Sequence, residues 1–345
     1  MSESRLPGAD LTALGPWLKA ERPGLIDGDL TGTLIAGGKS NLTYIVTDAA
    51  GQEFVLRRPP LGHVLATAHD MSREARVMRA LAGSVVPVPD VLAECTDDSV
   101  LGAPFYLMTK ANGTAYRTKD ELGELGADRT EAVIDAMMTV LGGLHSVDPA
   151  DVGLADFGRA EGFLARQVKR WRTQFEASRS RDLPGETALF EALSAQIPEQ
   201  GAPGIVHGDY RLDNLLVDSS VAGDPITAVL DWEMSTIGDP LTDLALLLVY
   251  SDLGRHPAWG DSVATAPQAA GYPSNEQLIE RYASASDRDL THLGWYVGLA
   301  NYKLAGVMEG IHYRYVKGQT VGAGFEDAGA GVEMMLANGL AALER

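Results

Sequence analysis

With 345 residues, 45% of them apolar and 22% charged, the chain can bury a substantial core, and the usual domain size of about 150 residues makes it two domains or one two-lobed unit. Against 28 Lys and Arg stand 47 Asp and Glu, a formal net charge of −19; phosphate backbones and anionic lipid surfaces are repelled at long range, so neither nucleic acid nor membrane is expected as a partner. The one cysteine, Cys95, excludes an intramolecular disulfide and a cysteine-built metal site, and reads as a small buried apolar residue in a strand.

The first residues, Met1 to Gly8, show no basic start followed by an apolar run, and a cytoplasmic location is the expectation. A weak strand is expected over Leu30–Ile35. After Gly37-Gly-Lys-Ser-Asn41 come two strand-like runs, Leu42–Thr47 and Glu53–Arg57, joined by a short polar connection with Gly51 in it, which is a hairpin signal. Met71, Ala75, Met78 and Ala82 then recur at helical spacing, with Asp70 or Ser72 placed to cap the helix. Val88–Cys95 and Pro104–Met108 read as two further strands, followed by a linker at Lys110–Gly113. The first third is therefore expected to hold five strands and one helix.

Beyond residue 125 the pattern turns helical, at about 130–147, 157–177, 186–197, 240–252, 275–285, 289–316 and 326–343. Leu244–Tyr250 is the most apolar short run, but it is far below the ~20 residues a bilayer requires and reads as a buried helix. Between Gly204 and Trp232 the helices are interrupted. There the short apolar runs Gly204–Val206, Leu215–Val217 and Ala228–Leu230 alternate with dense polar residues, as strands carrying an active-site loop do.

That segment reads His207-Gly-Asp-Tyr-Arg-Leu-Asp213-Asn214, then Leu-Leu-Val, and later Leu230-Asp231-Trp232-Glu233. Phosphoryl transfer needs a carboxylate to take the proton of an attacking hydroxyl and oxygen ligands to hold magnesium against phosphates. Asp209, Asn214 and Asp231 supply both, in the order and approximate spacing of a kinase catalytic loop followed by its metal loop. Asp213 reads as a turn residue, His207 as an organiser of the loop and His145 as structural. Arg211 suits phosphate oxygens or simple loop packing.

On these residues the sequence resembles the aminoglycoside phosphotransferase-like branch of the protein-kinase-like fold, over nearly the whole chain. The resemblance rests on His207-Gly-Asp209, Asp231-Trp-Glu233 and Ile237-Gly-Asp-Pro-Leu-Thr-Asp243. It implies an α+β, bilobal fold: an N-lobe with a small antiparallel sheet over residues 1–110, and a mostly helical C-lobe over 111–345 carrying the catalytic loop and acceptor site. ATP and Mg2+ would occupy the cleft. Carry-over makes Asp209 the base, Asn214 and Asp231 the magnesium ligands, and Asp239 and Asp243 supports of the loop. In the N-lobe, Ser40 and Asn41 would neighbour the phosphates, and Arg57 would pair with Glu74 and touch them, with Arg standing where a Lys is usual. Arg58 would point to the opposite face of its strand. Met108 would be the adenine gatekeeper, with Thr109 and Ala111 offering hinge carbonyl and amide.

The function implied is an ATP-dependent kinase for a small-molecule hydroxyl. Leu56-Arg-Arg-Pro-Pro60 and Asp231–Asp239 look most like the kinase domains associated with acyl-CoA dehydrogenases, which implies a hydroxyacyl thioester as acceptor. An antibiotic-modifying phosphotransferase and a nucleotide-binding pseudokinase scaffold are the alternatives; the second ordinarily lacks the base or a metal ligand, and none is missing here. The helix best placed to face an acceptor, Trp295–Lys317, carries Lys303, Arg314 and Lys317 against Glu309, with five aromatic rings that could line a pocket or pack the helix. Oligomeric state is left open.

Overall fold

Asp10 opens the structured chain: its carboxylate accepts the Thr12 N–H at 3.0 Å and caps a first helix that the sequence reading did not anticipate. The computed structural model describes residues 6–35, 41–61, 70–256, 263–320 and 328–344. In chain order the elements are α1 (Leu11–Glu21), β1 (Thr31–Leu34), β2 (Leu42–Thr47), β3 (Glu53–Arg58), α2 (Met71–Leu81), β4 (Val91–Cys95), α3 (Asp98–Leu101), β5 (Phe105–Thr109), α4 (Lys119–Gly123), α5 (Ala127–Ser146), α6 (Phe163–Ser178) and α7 (Glu186–Ala195). They continue with β6 (Gly204–Val206), β7 (Leu215–Val217), β8 (Ile226–Val229), β9 (Thr236–Gly238), α8 (Leu241–Arg255), α9 (Asn275–Ala285), α10 (Leu293–Val316) and α11 (Val332–Ala342).

By packing, the chain divides into two compact units, Met1–Gly113 with Thr227–Ser235, and Thr114–Ile226 with Thr236–Arg345. In the first, five strands form an antiparallel sheet in the order β1-β2-β3-β5-β4. Tyr44, Val46, Phe54, Leu56, Phe105 and Leu107 alternate onto one buried face and pack with Leu14 and Leu18 of α1. The period-two pattern thus does what a half-buried sheet requires. Cys95 is buried in β4. In α2 the apolar residues Met71, Ala75, Met78 and Leu81 are buried, and the Asp70 carboxylate accepts the Arg73 N–H at 3.0 Å. Such a cap contributes ~1 kcal/mol.

Among the described residues, the expectation of one helix in this region is corrected to three, α1, α2 and the short α3. Pro16 and Gly15 lie inside α1, and both depress helix propensity, so its narrow stripe of Leu14 and Leu18 stands out little in the sequence. In the second unit the helix expected from residue 157 begins at Phe163, after Gly162 in the left-handed region at φ +64. Before it, the backbone of Gly158 runs against β9, where a Cβ would come within 2.5 Å of the Ile237 nitrogen and only glycine fits. Here β6 pairs with β9 antiparallel, Ile205 opposite Ile237. Among the described residues no helix is long and apolar enough to cross a membrane, and Leu244–Val249 is buried within α8.

Candidate active site

In the second unit, β6 ends at Val206 and delivers His207, Gly208 and Asp209 into a loop fixed from below by Asp243, in the first turn of α8. The buried Asp243 carboxylate accepts the backbone N–H of His207 at 2.6 Å and of Gly208 at 2.7 Å. Its Oδ2 also lies 3.4 Å from Nε2 of His145, whose Nδ1 is 2.7 Å from the Tyr282 hydroxyl. Burial alone pushes this carboxyl up, but the His145 contact, the two imidazoles and the Gly208 N–H hold it below its ordinary value. Burial pushes the His145 imidazole the other way, toward its neutral form. Gly208 has φ +87, a left-handed backbone that glycine adopts without Cβ strain, and this turns Asp209 outward.

Asp209 is then held by its own loop. The Asn214 Nδ2 donates to the Asp209 carbonyl at 2.8 Å and to its carboxylate at 3.1 Å, across one short 3-10 turn, Leu212–Asn214. His207 Nδ1 accepts the Asp209 N–H at 3.2 Å. Arg211 donates to the Asp209 carboxylate at 3.3 Å, lies 3.2 Å from the Asp213 carboxylate and stacks over the Tyr250 ring at 5.0 Å. The Tyr250 hydroxyl is itself hydrogen-bonded to Asp209, and burial together with that carboxylate pushes its pKa well up, keeping it a donor. Asp213 is a turn residue and half-buried: its Oδ1 has no hydrogen-bond partner among the described residues, and burial raises its pKa despite Arg211.

In the first unit, register decides between two arginines. Arg57 on β3 stands opposite Tyr106 of β5 and turns its guanidinium to Glu74 of α2, Nε to Oε2 at 2.9 Å, and to Asp231. Arg58 points to the other face, where it donates to the carbonyls of Leu101 at 2.8 Å and Pro59 at 3.1 Å and also to that of Gly8. Glu74 is 1% exposed and accepts the Tyr106 hydroxyl at 2.7 Å. Burial pushes its carboxyl up and the Arg57 charge pulls it back; the same carboxylates keep Arg57 protonated against its own burial. Asp231, just after β8, has φ +64, a conformation rare outside glycine and characteristic of functional turns. Glu74, Asp231 and Glu233 bring carboxylate oxygens within 4.8 Å of one another.

The expected residues therefore fall into two sets: Arg57, Glu74 and Asp231 meet in the first unit, and Asp209, Arg211 and Asn214 in the second. Ser40 lies outside the described residues. Asn41 is turned to carboxylates, its Nδ2 donating to Glu74 and Glu233 at 3.1 Å each. Met108 is buried on β5 opposite Val55; the Thr109 N–H is taken by the Asp90 carbonyl at 2.9 Å, and Ala111 follows the strand, half-buried. Sequence reasoning missed Glu233, Tyr250 and the depth of Lys303. Of the rings on α10, Trp295, Tyr296 and Tyr302 are core residues: Trp295 donates to the Leu193 carbonyl at 3.1 Å, and the hydroxyls of Tyr296 and Tyr302 go to Asp239 and Glu186 at 2.7 Å each. Trp295 and Tyr302 thus pack the helix, whereas Tyr296 also lines a cavity with Asp239 and Arg288.

Residues 31–278 match the sequence model of the phosphotransferase enzyme family. A Mus musculus protein named acyl-CoA dehydrogenase family member 10 is 35% identical over 300 residues, which are 86% of this chain and 28% of that protein. The chain thus spans less than a third of that relative's length. A crystal structure from Ralstonia eutropha JMP134, provisionally named an aminoglycoside phosphotransferase, superposes with a TM-score of 0.84 at 31% identity, covering 97% of this chain and 98% of the other. A thermostable mutant of the aminoglycoside phosphotransferase APH(4)-Ia, in ternary complex with AMP-PNP and hygromycin B, superposes at 0.63 with 18% identity over 96% and 98% of the two chains, a likeness of fold.

Proposed function

The chain belongs to the phosphotransferase enzyme family, and from that membership we propose that it is an ATP- and Mg2+-dependent kinase for a small-molecule hydroxyl, with a hydroxyacyl thioester as acceptor. The division we propose is an N-lobe over residues 1–110 and a C-lobe over 111–345. The observation that carries the reading is the grip of Asn214 on Asp209, at 2.8 and 3.1 Å, which presents a fixed carboxylate from a loop anchored by Asp243. A base must be held in place before it can take a proton in the transition state.

In the reaction, Asp209 takes the proton of the acceptor hydroxyl as its oxygen bonds to the terminal phosphorus of ATP, and the bond from that phosphorus to the ADP oxygen breaks. Arg57, fixed by Glu74, offsets phosphate charge, with Met108, Thr109 and Ala111 on the adenine side and Ser40 and Asn41 near the phosphates. Magnesium takes hard oxygen ligands, and the donor set suits it: Asp231 offers a carboxylate, and Asn214, whose Nδ2 is committed to Asp209, offers Oδ1. When bound, the ion would neutralise negative charge on the transferring phosphate. The thioester acceptor is supported by the relative named as an acyl-CoA dehydrogenase family member.

The test is acceptor-dependent ADP release by purified protein with Mg-ATP, against hydroxyacyl thioesters, choline, homoserine and kanamycin, with phosphorylated product identified by mass spectrometry. Saturable turnover of a hydroxyacyl thioester is expected. Tight Mg-ATP binding without transfer to any of them would favour a nucleotide-binding scaffold.

A further inference from the structure

Lys303 lies on α10 and donates from Nζ to the carbonyl of Gly208 at 2.9 Å, one peptide before Asp209. An ammonium has three N–H groups. The other two have no protein acceptor among the described residues, and Lys303 enters no ion pair there. Its acidic neighbours, Asp209 and Asp243, are engaged with Asn214 and with the loop amides. Beneath it is the ring of Trp171 on α6, whose centroid is 5.8 Å from Nζ and 5.4 Å from the guanidinium carbon of the exposed Arg170. Two cations share one aromatic platform, and Arg170 repels the lysine. Burial pushes the Lys303 amine down, so its charge is held at a cost that an anion would offset.

We propose that Lys303 and Arg170, set on Trp171, form an oxyanion subsite beside Asp209 that takes the acyl-end oxygen of an acceptor close to the reacting hydroxyl, and so holds a carboxylate or a phosphate ester there more tightly than a neutral or cationic group. The subsite rests on the phosphotransferase reading only in calling its ligand the acceptor. Covalent reach from the Gly208 oxygen puts the Asp209 carboxylate within roughly 9 Å of the ammonium, so hydroxyl and oxyanion are bridged by roughly two to six carbons. A lysine that merely clamps the Gly208 carbonyl would favour no acceptor over another. The charge of the ligand is what separates the two roles.

The experiment measures binding of ω-hydroxy acids of three to six carbons, the matching hydroxyalkyl phosphates and the matching amino alcohols, by calorimetry, to wild-type protein, Lys303→Met and Arg170→Met. At least one anion should bind the wild type, weaken about tenfold or more in Lys303→Met and less in Arg170→Met, while the amino alcohols respond to neither change. The carboxylate and phosphate arms identify which oxyanion is taken. Equal anion affinity in wild type and Lys303→Met, preference for the amine, or no anion binding at millimolar concentration overturns the subsite. So does an equal loss for all three ligand classes with a lowered melting temperature, which would make Lys303 a loop clamp. Charge-selective binding that persists without phosphate transfer to any bound alcohol would overturn the phosphotransferase reading and leave the subsite standing.

Discussion

A single amide nitrogen, Nδ2 of Asn214, donates to both the carbonyl and the carboxylate of Asp209, at 2.8 and 3.1 Å. Backbone and side chain of the proposed base are thereby fixed by one residue. Asp209→Asn should lower turnover about 10²-fold or more with Mg-ATP affinity unchanged, because the carboxylate serves the acceptor proton and not the nucleotide. Steady-state kinetics beside calorimetric nucleotide titration decide it, and comparable turnover would remove Asp209 from that role.

Asp231 sits at φ +64, a conformation that asparagine tolerates and alanine does not, so Asp231→Asn isolates charge from backbone strain. Loss of one anionic ligand should weaken ATP binding about tenfold in the presence of magnesium and far less in EDTA. An identical Mg-ATP affinity would refute its place as a metal ligand.

Asp243 makes a pH prediction with a definite sign. Its pKa is depressed in the fold below the ordinary 3.8, so it contributes stability above that pH and loses it as pH falls through the depressed value. Asp243→Asn should therefore cost about 2–4 kcal/mol near neutral pH, through the weakened bonds to the His207 and Gly208 N–H groups. The gap to wild type should narrow below about pH 4. Urea melts of both proteins across that range test it; a gap that stays constant would contradict the sign.

Kanamycin and neomycin should give no ADP release above the ATPase background. A polycationic sugar approaching Asp209 meets Lys303, whose ammonium is 2.9 Å from the Gly208 carbonyl, and Arg170 behind it. Saturable phosphorylation of either at micromolar concentration would show that this charge does not guard the acceptor side.

The fold and much of the site were legible because the signals are local. Alternation along β2 and β3, the helical spacing of α2 and the ordered His207, Asp209, Asn214 and Asp231 each depend on a few neighbouring residues. The Arg57–Glu74 pair, a 2.9 Å contact, is instead what the family resemblance implies, since no local period names it. What escaped depends on tertiary context. Three-residue β9 has no period to read, and α1 hides its stripe behind Pro16. Glu233 joins Glu74 and Asp231 only because Thr227–Ser235 packs with the N-terminal sheet. Lys303 counted in the sequence as one charge on a helix; its worth comes from lying on Trp171 and against Gly208.

That same detour of Thr227–Ser235 sets an order on synthesis. When the first 113 residues have left the ribosome the five strands are available, but Asp231 has not been made, and Arg57 has only Glu74 to face. At 5–20 residues per second the segment carrying Asp231 follows roughly 6–24 s later. A nascent chain that has reached Gly113 thus holds the whole five-stranded sheet, but Arg57 waits through roughly a third of the chain's synthesis for its second carboxylate.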